Sequence, residues 1–278
     1  MNKLTLPIAV LFGLVNADTH MSSKIQPGPF VNETWYSGLV DIDASDDIFY
    51  WWFESRNAPD TDPLVLWLTG GPGCASEVAL FFENGPYMFG ADKKTLNGNA
   101  FSWNNKANLL YVDQPVGTGF SHAGILHAKD QYGRPVVNED EVAENMATFL
   151  IKFKEKYPKF EGRDFFITGE SYAGHYIPAI SHNFIFKNKD KLKLNFKGMA
   201  IGNGLVSPLI QYPEYNTFAL ENNLITKAES LILRGGFKVC QSLIETGVWP
   251  VALEFCQILV TSILGLPVAP NFNVYDIR

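Results

Sequence analysis

The run Gly169-Glu170-Ser171-Tyr172-Ala173-Gly174-His175 sets a serine among small residues. Phe165 to Thr168, two aromatics and then β-branched residues, reads as the end of a buried strand. Tyr176 to Ile185 reads as a helix with Pro178 in its first turn. A serine at the tip of a sharp turn between strand and helix is built for nucleophilic attack, because the turn strains its backbone and lifts Oγ clear of the sheet. Small neighbours are needed where the strand and helix backbones pass close together. The fifth position of the G-x-S-x-G pattern is Ala173, one small residue for another. Alone, this string also fits an ordinary tight turn, so other residues must decide.

A second loop could do chemistry with the first. Pro63 to Leu68 is a continuous apolar run, as for a strand buried on both faces, and it enters Thr69-Gly70-Gly71-Pro72-Gly73-Cys74 directly. Glycines in such a loop let backbone N–H groups approach a substrate without a Cβ in the way. Further along, Ala107 to Asp113 reads as a strand, followed by the turn Gln114 to Gly119.

These loops need a scaffold. Trp35 to Ile42 and Asp47 to Ser55 read as antiparallel strands, and Ala75 to Asn84 as a helix ended by Gly85-Pro86. Asn138 to Lys156 is helical, with Val142, Met146, Phe149, Leu150 and Phe153 recurring at three and four. Phe196 to Gly202 is a further strand ending at Asn203-Gly204. This alternation means an α/β domain with a largely parallel sheet and helices on both faces. From Leu205 the alternation fails. Residues 205–270 look helical and partly irregular, with Gly235-Gly236 and Trp249-Pro250 as breaks, and read as an inserted cap. Within them, Ile258 to Ala269 is apolar but too short to span a membrane, and reads as core. Residues 271–278 begin the return to the α/β core, which occupies residues 18–204.

With 278 residues, 46% of them hydrophobic, the chain can bury one large core or two modest ones. A net charge of −7 argues against nucleic-acid and anionic-membrane partners. Residues 1–17 have the form of a secretory signal peptide: Lys3, the apolar stretch Leu4 to Val15, then Val15-Asn16-Ala17 as a cleavage site. The secretory route makes Asn32, in Asn32-Glu33-Thr34, a glycosylation acceptor, and puts Cys74, Cys240 and Cys256 in an oxidising space. Cys240 and Cys256 are near enough in sequence to pair, which would leave Cys74 alone. No motif calls for a cofactor or a metal.

Five segments in one order, Phe53 to Asn57, Trp67 to Cys74, Asp113-Gln114-Pro115 with Gly119-Phe120-Ser121, Gly169 to Pro178, and Ile201 to Gly204, resemble the serine carboxypeptidases of the α/β-hydrolase fold. The resemblance runs from about Trp35 to Arg278. It implies that Ser171 attacks a scissile carbonyl and that the N–H groups of Gly71 and Tyr172 receive the oxyanion. It also implies that Thr69, Gly70, Glu83 and Glu170 bind the free C-terminal carboxylate of a peptide or protein substrate. Two close carboxyl groups cannot both ionise cheaply, so one of the glutamates keeps a proton at acid pH and donates it. Such an acid optimum fits a lysosome or vacuole; an extracellular location and a homodimer are left open.

Two departures stand out. The family has Asn where Thr69 stands, so an amide donor becomes a shorter hydroxyl, which keeps a serine carboxypeptidase-like acyltransferase as the alternative reading. The fold also needs Ser, then an acid, then His in chain order. Of the histidines only His175 and His182 follow Ser171, with no acid between, and a helix would carry His182 roughly 16 Å away. By the resemblance, the triad Asp and His, and the partner of Cys74, belong beyond Arg278. The expectation is therefore an incomplete or inactive form of a carboxypeptidase, with a non-enzymatic peptide- or partner-binding chain as a further alternative.

Overall fold

A computed structural model describes residues 33–124, 136–265 and 272–278. The proposed signal peptide, Asn32, His20 and His127 lie outside the described residues. The chain forms two compact units, one ending at Gly204 and the other beginning at Leu205.

The first unit is built on a six-stranded sheet. Its strands are β1 (Trp35–Asp41), β2 (Asp47–Phe53), β3 (Leu64–Leu68), β6 (Asn108–Val112), β7 (Asp164–Glu170) and β8 (Asn195–Gly202); β4 (Tyr87–Phe89) and β5 (Leu96–Gly98) form a separate hairpin. The order is β1-β2-β6-β3-β7-β8. β1, β2 and β6 pair antiparallel, while β6, β3, β7 and β8 run parallel. The helices are α1 (Glu77–Phe82), α2 (Glu139–Lys156), α3 (Ala173–Asn183) and the short α4 (Lys189–Leu192).

The two-faced apolar run of β3 explains the layering. Leu64, Leu66 and Leu68 join Val142, Met146, Phe149 and Phe153 of α2 and Tyr176, Ile177 and Ile180 of α3 in one core. Val65 and Trp67 point the other way, into a smaller core with Ala79 and Leu80 of α1 and Leu109 and Tyr111 of β6. Each such side chain contributes about 1.5–3 kcal/mol when fully buried, so helices must cover both faces. The start of α2 is set by Asn138, whose side chain accepts the Glu141 amide at 2.9 Å.

The Phe53 to Asn57 segment serves the scaffold. Arg56 binds Glu33 and donates to the Asn99 carbonyl at 3.0 Å, and Ser55 donates to Asp62 at 2.5 Å.

The second unit holds α5 (Pro208–Glu221), α6 (Lys227–Glu245) and α7 (Trp249–Ile263). Trp249-Pro250 does mark a break, with proline in the first turn of α7. Gly235-Gly236 does not: α6 runs straight through it. The two glycines cost roughly 1 kcal/mol each in a helix. That is offset by a capping box between Thr226 and Glu229 and by burial of Leu233, Phe237 and Cys240. A Cβ on Gly236 would lie 2.6 Å from a methyl of Leu259, so the glycine serves close packing of α6 on α7. The Ile258 to Ala269 stretch is only partly core. Ile258 is exposed and Ile263 buried, because a helix turns successive apolar residues to different sides, and residues 266–271 lie outside the described residues.

Candidate active site

Taken alone, the parallel strands follow the order second, first, third, fourth. Chain order therefore reverses between β3 and β7, the kind of switch point at whose strand carboxyl ends open α/β sheets place their sites. The loop after β3 is Thr69 to Ser76, and the loop after β7 carries Ser171. The topology thus brings both chemical loops to one place.

Ser171 has φ 57°, in the left-handed region that a side chain disfavours. Its amide donates to the Gly202 carbonyl at 3.0 Å, and its carbonyl accepts from Gly174 at 3.0 Å. His175 then donates to the Tyr172 carbonyl at 2.9 Å. The turn passes into helix at once, so α3 begins at Ala173, and Pro178 lies in its interior and not in its first turn. The expected start at Tyr176 was late because the elbow's small residues, which read as loop, already belong to the helix.

Gly70 lies hard against this elbow. A Cβ there would overlap the Tyr172 nitrogen and sit 2.8 Å from the Glu170 carbonyl oxygen and 2.9 Å from the Ser171 Cβ. Gly71 has φ 114°. Among the described residues, neither the Gly71 nor the Tyr172 amide is given to a protein acceptor. The rest of the loop is tied down. Cys74 donates to the Gly70 carbonyl at 3.1 Å, and Gly73 donates to the Tyr176 hydroxyl at 3.1 Å. Thr69 is buried, and its hydroxyl accepts the Trp67 indole N–H at 3.1 Å while keeping its own hydrogen to give.

Glu83, just past α1, and Glu170, ending β7, meet although 87 residues separate them in sequence (170 − 83). Although Glu83 is exposed as a residue, partial loss of water around its carboxyl, then the charge of Glu170 and a hydrogen bond with it, raise it to about 7. The pair can therefore hold one proton through the acid range.

No histidine among the described residues hydrogen-bonds Ser171. His175 stacks on the Tyr172 ring, centroids 4.7 Å apart at 9°, and its Nδ1 is buried with no partner. His182 is exposed and lies against Phe186; His122 is exposed, with Nδ1 3.2 Å from the Ser45 carbonyl. Cys240 and Cys256 are joined by a disulfide, and Cys74 is an exposed free thiol. Among the described residues, no cluster of three or more His, Cys, Asp or Glu side chains could hold a metal, and no helix is long and apolar enough to cross a membrane.

Residues 26–257 match the family profile of serine carboxypeptidases. The chain belongs to the serine carboxypeptidase family. It is 40% identical over 278 residues to a serine carboxypeptidase S10 family member 1 of Dictyostelium discoideum, covering all of this chain and 62% of that one. It is 43% identical over 270 residues to a serine carboxypeptidase-like 47 of Arabidopsis thaliana, covering 92% of this chain and 51% of that one. The crystal structure of a prohormone-processing carboxypeptidase from Saccharomyces cerevisiae superposes with TM-score 0.70 at 30% identity, over 86% of this chain and 54% of that one. This serine carboxypeptidase family member thus has the α/β-hydrolase fold, and spans about half to six-tenths of the length of these relatives.

Three contacts around the site were not foreseen. Tyr172 donates its hydroxyl to Glu139 at 2.9 Å, Gly73 reaches Tyr176, and Glu77 pairs with Asp113. Glu139 and Glu77 sit in the first turns of helices, where acidic residues are ordinary, so nothing in the sequence set them apart.

Proposed function

We propose that this chain carries the nucleophile and the carboxylate-recognition site of a serine-type carboxypeptidase. The observation that carries the reading is the Glu83–Glu170 carboxyl pair, which ends on the residue preceding Ser171. The pair suits a peptide C-terminus: its proton bridges to the substrate carboxylate, an anion that two ionised glutamates would repel. The Gly70 amide and the Thr69 hydroxyl add donors beside it. Ser171 Oγ attacks the last peptide carbonyl, and the oxyanion accepts from the unspent Gly71 and Tyr172 amides. The C–N bond then breaks, the C-terminal amino acid leaves with a proton on its amine, and water hydrolyses the ester on Ser171. The base that takes the serine proton is a histidine outside the described residues, since neither His175 nor His182 meets both Ser171 and an acid. The chain enters the secretory route, with Asp18 as its mature N-terminus; finding Met1 on secreted material would overturn that point.

The test uses the full-length protein at acid pH with peptides that have free or amidated C-termini. Turnover should need the free carboxylate and vanish in Ser171→Ala. Equal turnover of both peptides would remove the carboxylate site, and transfer from an activated acyl ester to an alcohol without peptide hydrolysis would establish the acyltransferase reading. The 278-residue chain by itself should not hydrolyse peptides. Turnover that needs Ser171 in that chain would place the base within it, with His175 the first residue to substitute.

A further inference from the structure

Two carboxyl groups that the proposed chemistry does not use meet beside the glycine loop. Asp113, the first residue past β6, is fully buried, and both its oxygens are committed. Oδ1 accepts the Ser76 amide at 2.8 Å and Oδ2 the Phe120 amide at 2.9 Å. Ser76 in turn donates its hydroxyl to the Val112 carbonyl at 2.7 Å and accepts the Thr69 amide at 3.3 Å. Gly119, at φ 55°, lies so close that a Cβ there would overlap Oδ2. Asp113 therefore clamps both the end of the glycine loop and the turn after β6. Glu77, the residue next to Ser76, hydrogen-bonds to Asp113 through its side chain, and its Oε2 is sealed from water with no N–H or O–H directed at it.

Two ionised carboxylates would offer acceptors alone, repel each other, and leave the buried Oε2 unserved. A hydrogen between them removes all three difficulties. We propose that Glu77 is a protonated acid that donates to Asp113, and that this one proton positions the glycine loop, and with it the Gly71 amide, against the serine elbow. The electrostatics agree: burial, then the charge of Asp113 and the hydrogen bond to it, raise Glu77 to about 8, and burial also raises Asp113 against the pull of its amide donors. Among the described residues, no titratable group besides these two acts on either. Glu77 is thus a positioning residue, two steps from the reacting atoms. When its proton leaves to solvent, the buried negative charges push apart and the hold on Ser76 and Phe120 slackens. The consequence for catalysis rests on the oxyanion role given to Gly71; the proton and the clamp do not.

The experiment follows the full chain by infrared spectroscopy and by amide hydrogen exchange at Ser76 and Phe120. Glu77→Gln keeps a donor for Asp113 but cannot ionise, and Glu77→Leu has none. In the wild type, a carbonyl band of a buried protonated carboxyl should persist well above the ordinary glutamate range and titrate near 8, and it should be missing in E77Q. Protection of the Ser76 and Phe120 amides should fall as the pH passes that value in the wild type and hold in E77Q. In E77L it should be lower by about tenfold throughout, the loss of one buried hydrogen bond. A band unchanged by E77Q, or equal alkaline loss of protection in the wild type and E77Q, would overturn the proposal. The second comparison decides even where E77L does not fold. Both readouts are independent of turnover, so a failure of Ser171 to act as nucleophile would leave them intact.

Discussion

A Cβ added to Gly169 would lie 2.9 Å from the Cβ of Ala173 and overlap the Leu68 carbonyl oxygen. Strand β7 and helix α3 are therefore in contact through these two residues, one on each side of Ser171, with no room for a larger pair. Gly169→Ala should destabilise the first unit by about 1–3 kcal/mol, the usual result of overpacking. Chemical denaturation of the full chain checks this, and a midpoint equal to wild type would show that the contact is looser than described.

Gly70→Ala should act on the site more than on the fold. Its methyl would press on the Tyr172 amide and the Ser171 Cβ, the groups proposed to hold the oxyanion and the nucleophile. In the full-length protein, kcat should fall by about 10²–10³-fold, the range for losing one oxyanion donor, with KM much less affected. A loss confined to KM would show that the methyl disturbs only the carboxylate site, where the Gly70 amide donates, and leaves the Tyr172 amide and Ser171 in place.

Glu83 titrates near 7 with Glu170 beside it, well above the usual glutamate range. A raised carboxyl pKa means that the folded state favours the protonated form. Its contribution is complete below the ordinary carboxyl range and is lost as pH rises through about 7. For peptides with a free C-terminus, kcat/KM should fall across the same window, whereas an ester without that carboxylate should lack this limb. Glu83→Gln should remove the limb and keep activity above it. A peptide profile that is the same in wild type and E83Q would separate the glutamate pair from the pH response.

Cys240 and Cys256 close a loop of 16 residues between α6 and α7. A bridge over such a loop contributes about 3 kcal/mol in the chain-entropy account. Reduction, or the double change to serine, should lower the unfolding free energy of the second unit by about that amount, measured by thermal unfolding with and without reductant. The β7–α3 contact should be untouched, and an effect on the first unit of the same size would contradict the separate cores.

The local elements of this chain are determined by its sequence. The alternating strands and helices, the two-faced apolar run Leu64 to Leu68 and the serine between small residues all state their structure through short-range sterics and apolar periodicity. The start of α3 and the passage of α6 through Gly235-Gly236 were misread for a local reason as well: small residues mark loops and close packing alike, and only a neighbouring backbone tells the two apart.

Tertiary structure alone decided which carboxyl groups meet. Glu83 and Glu170 were brought together beforehand only through a family resemblance, since no periodicity links the end of α1 to the end of β7. Nothing in the sequence paired Glu77 with Asp113, one being an ordinary acidic residue in a first helical turn and the other marked only as part of the Asp113-Gln114-Pro115 segment of the family resemblance. Their proton-sharing arises because the sheet order reverses beside β3, so the loops after β3, β6 and β7 meet at one edge and shut Asp113 and the Glu77 Oε2 off from water. Burial depends on what comes to lie overhead, and a carboxyl group's affinity for its proton follows from burial and from the charge beside it, neither of which is written in its immediate neighbours along the chain.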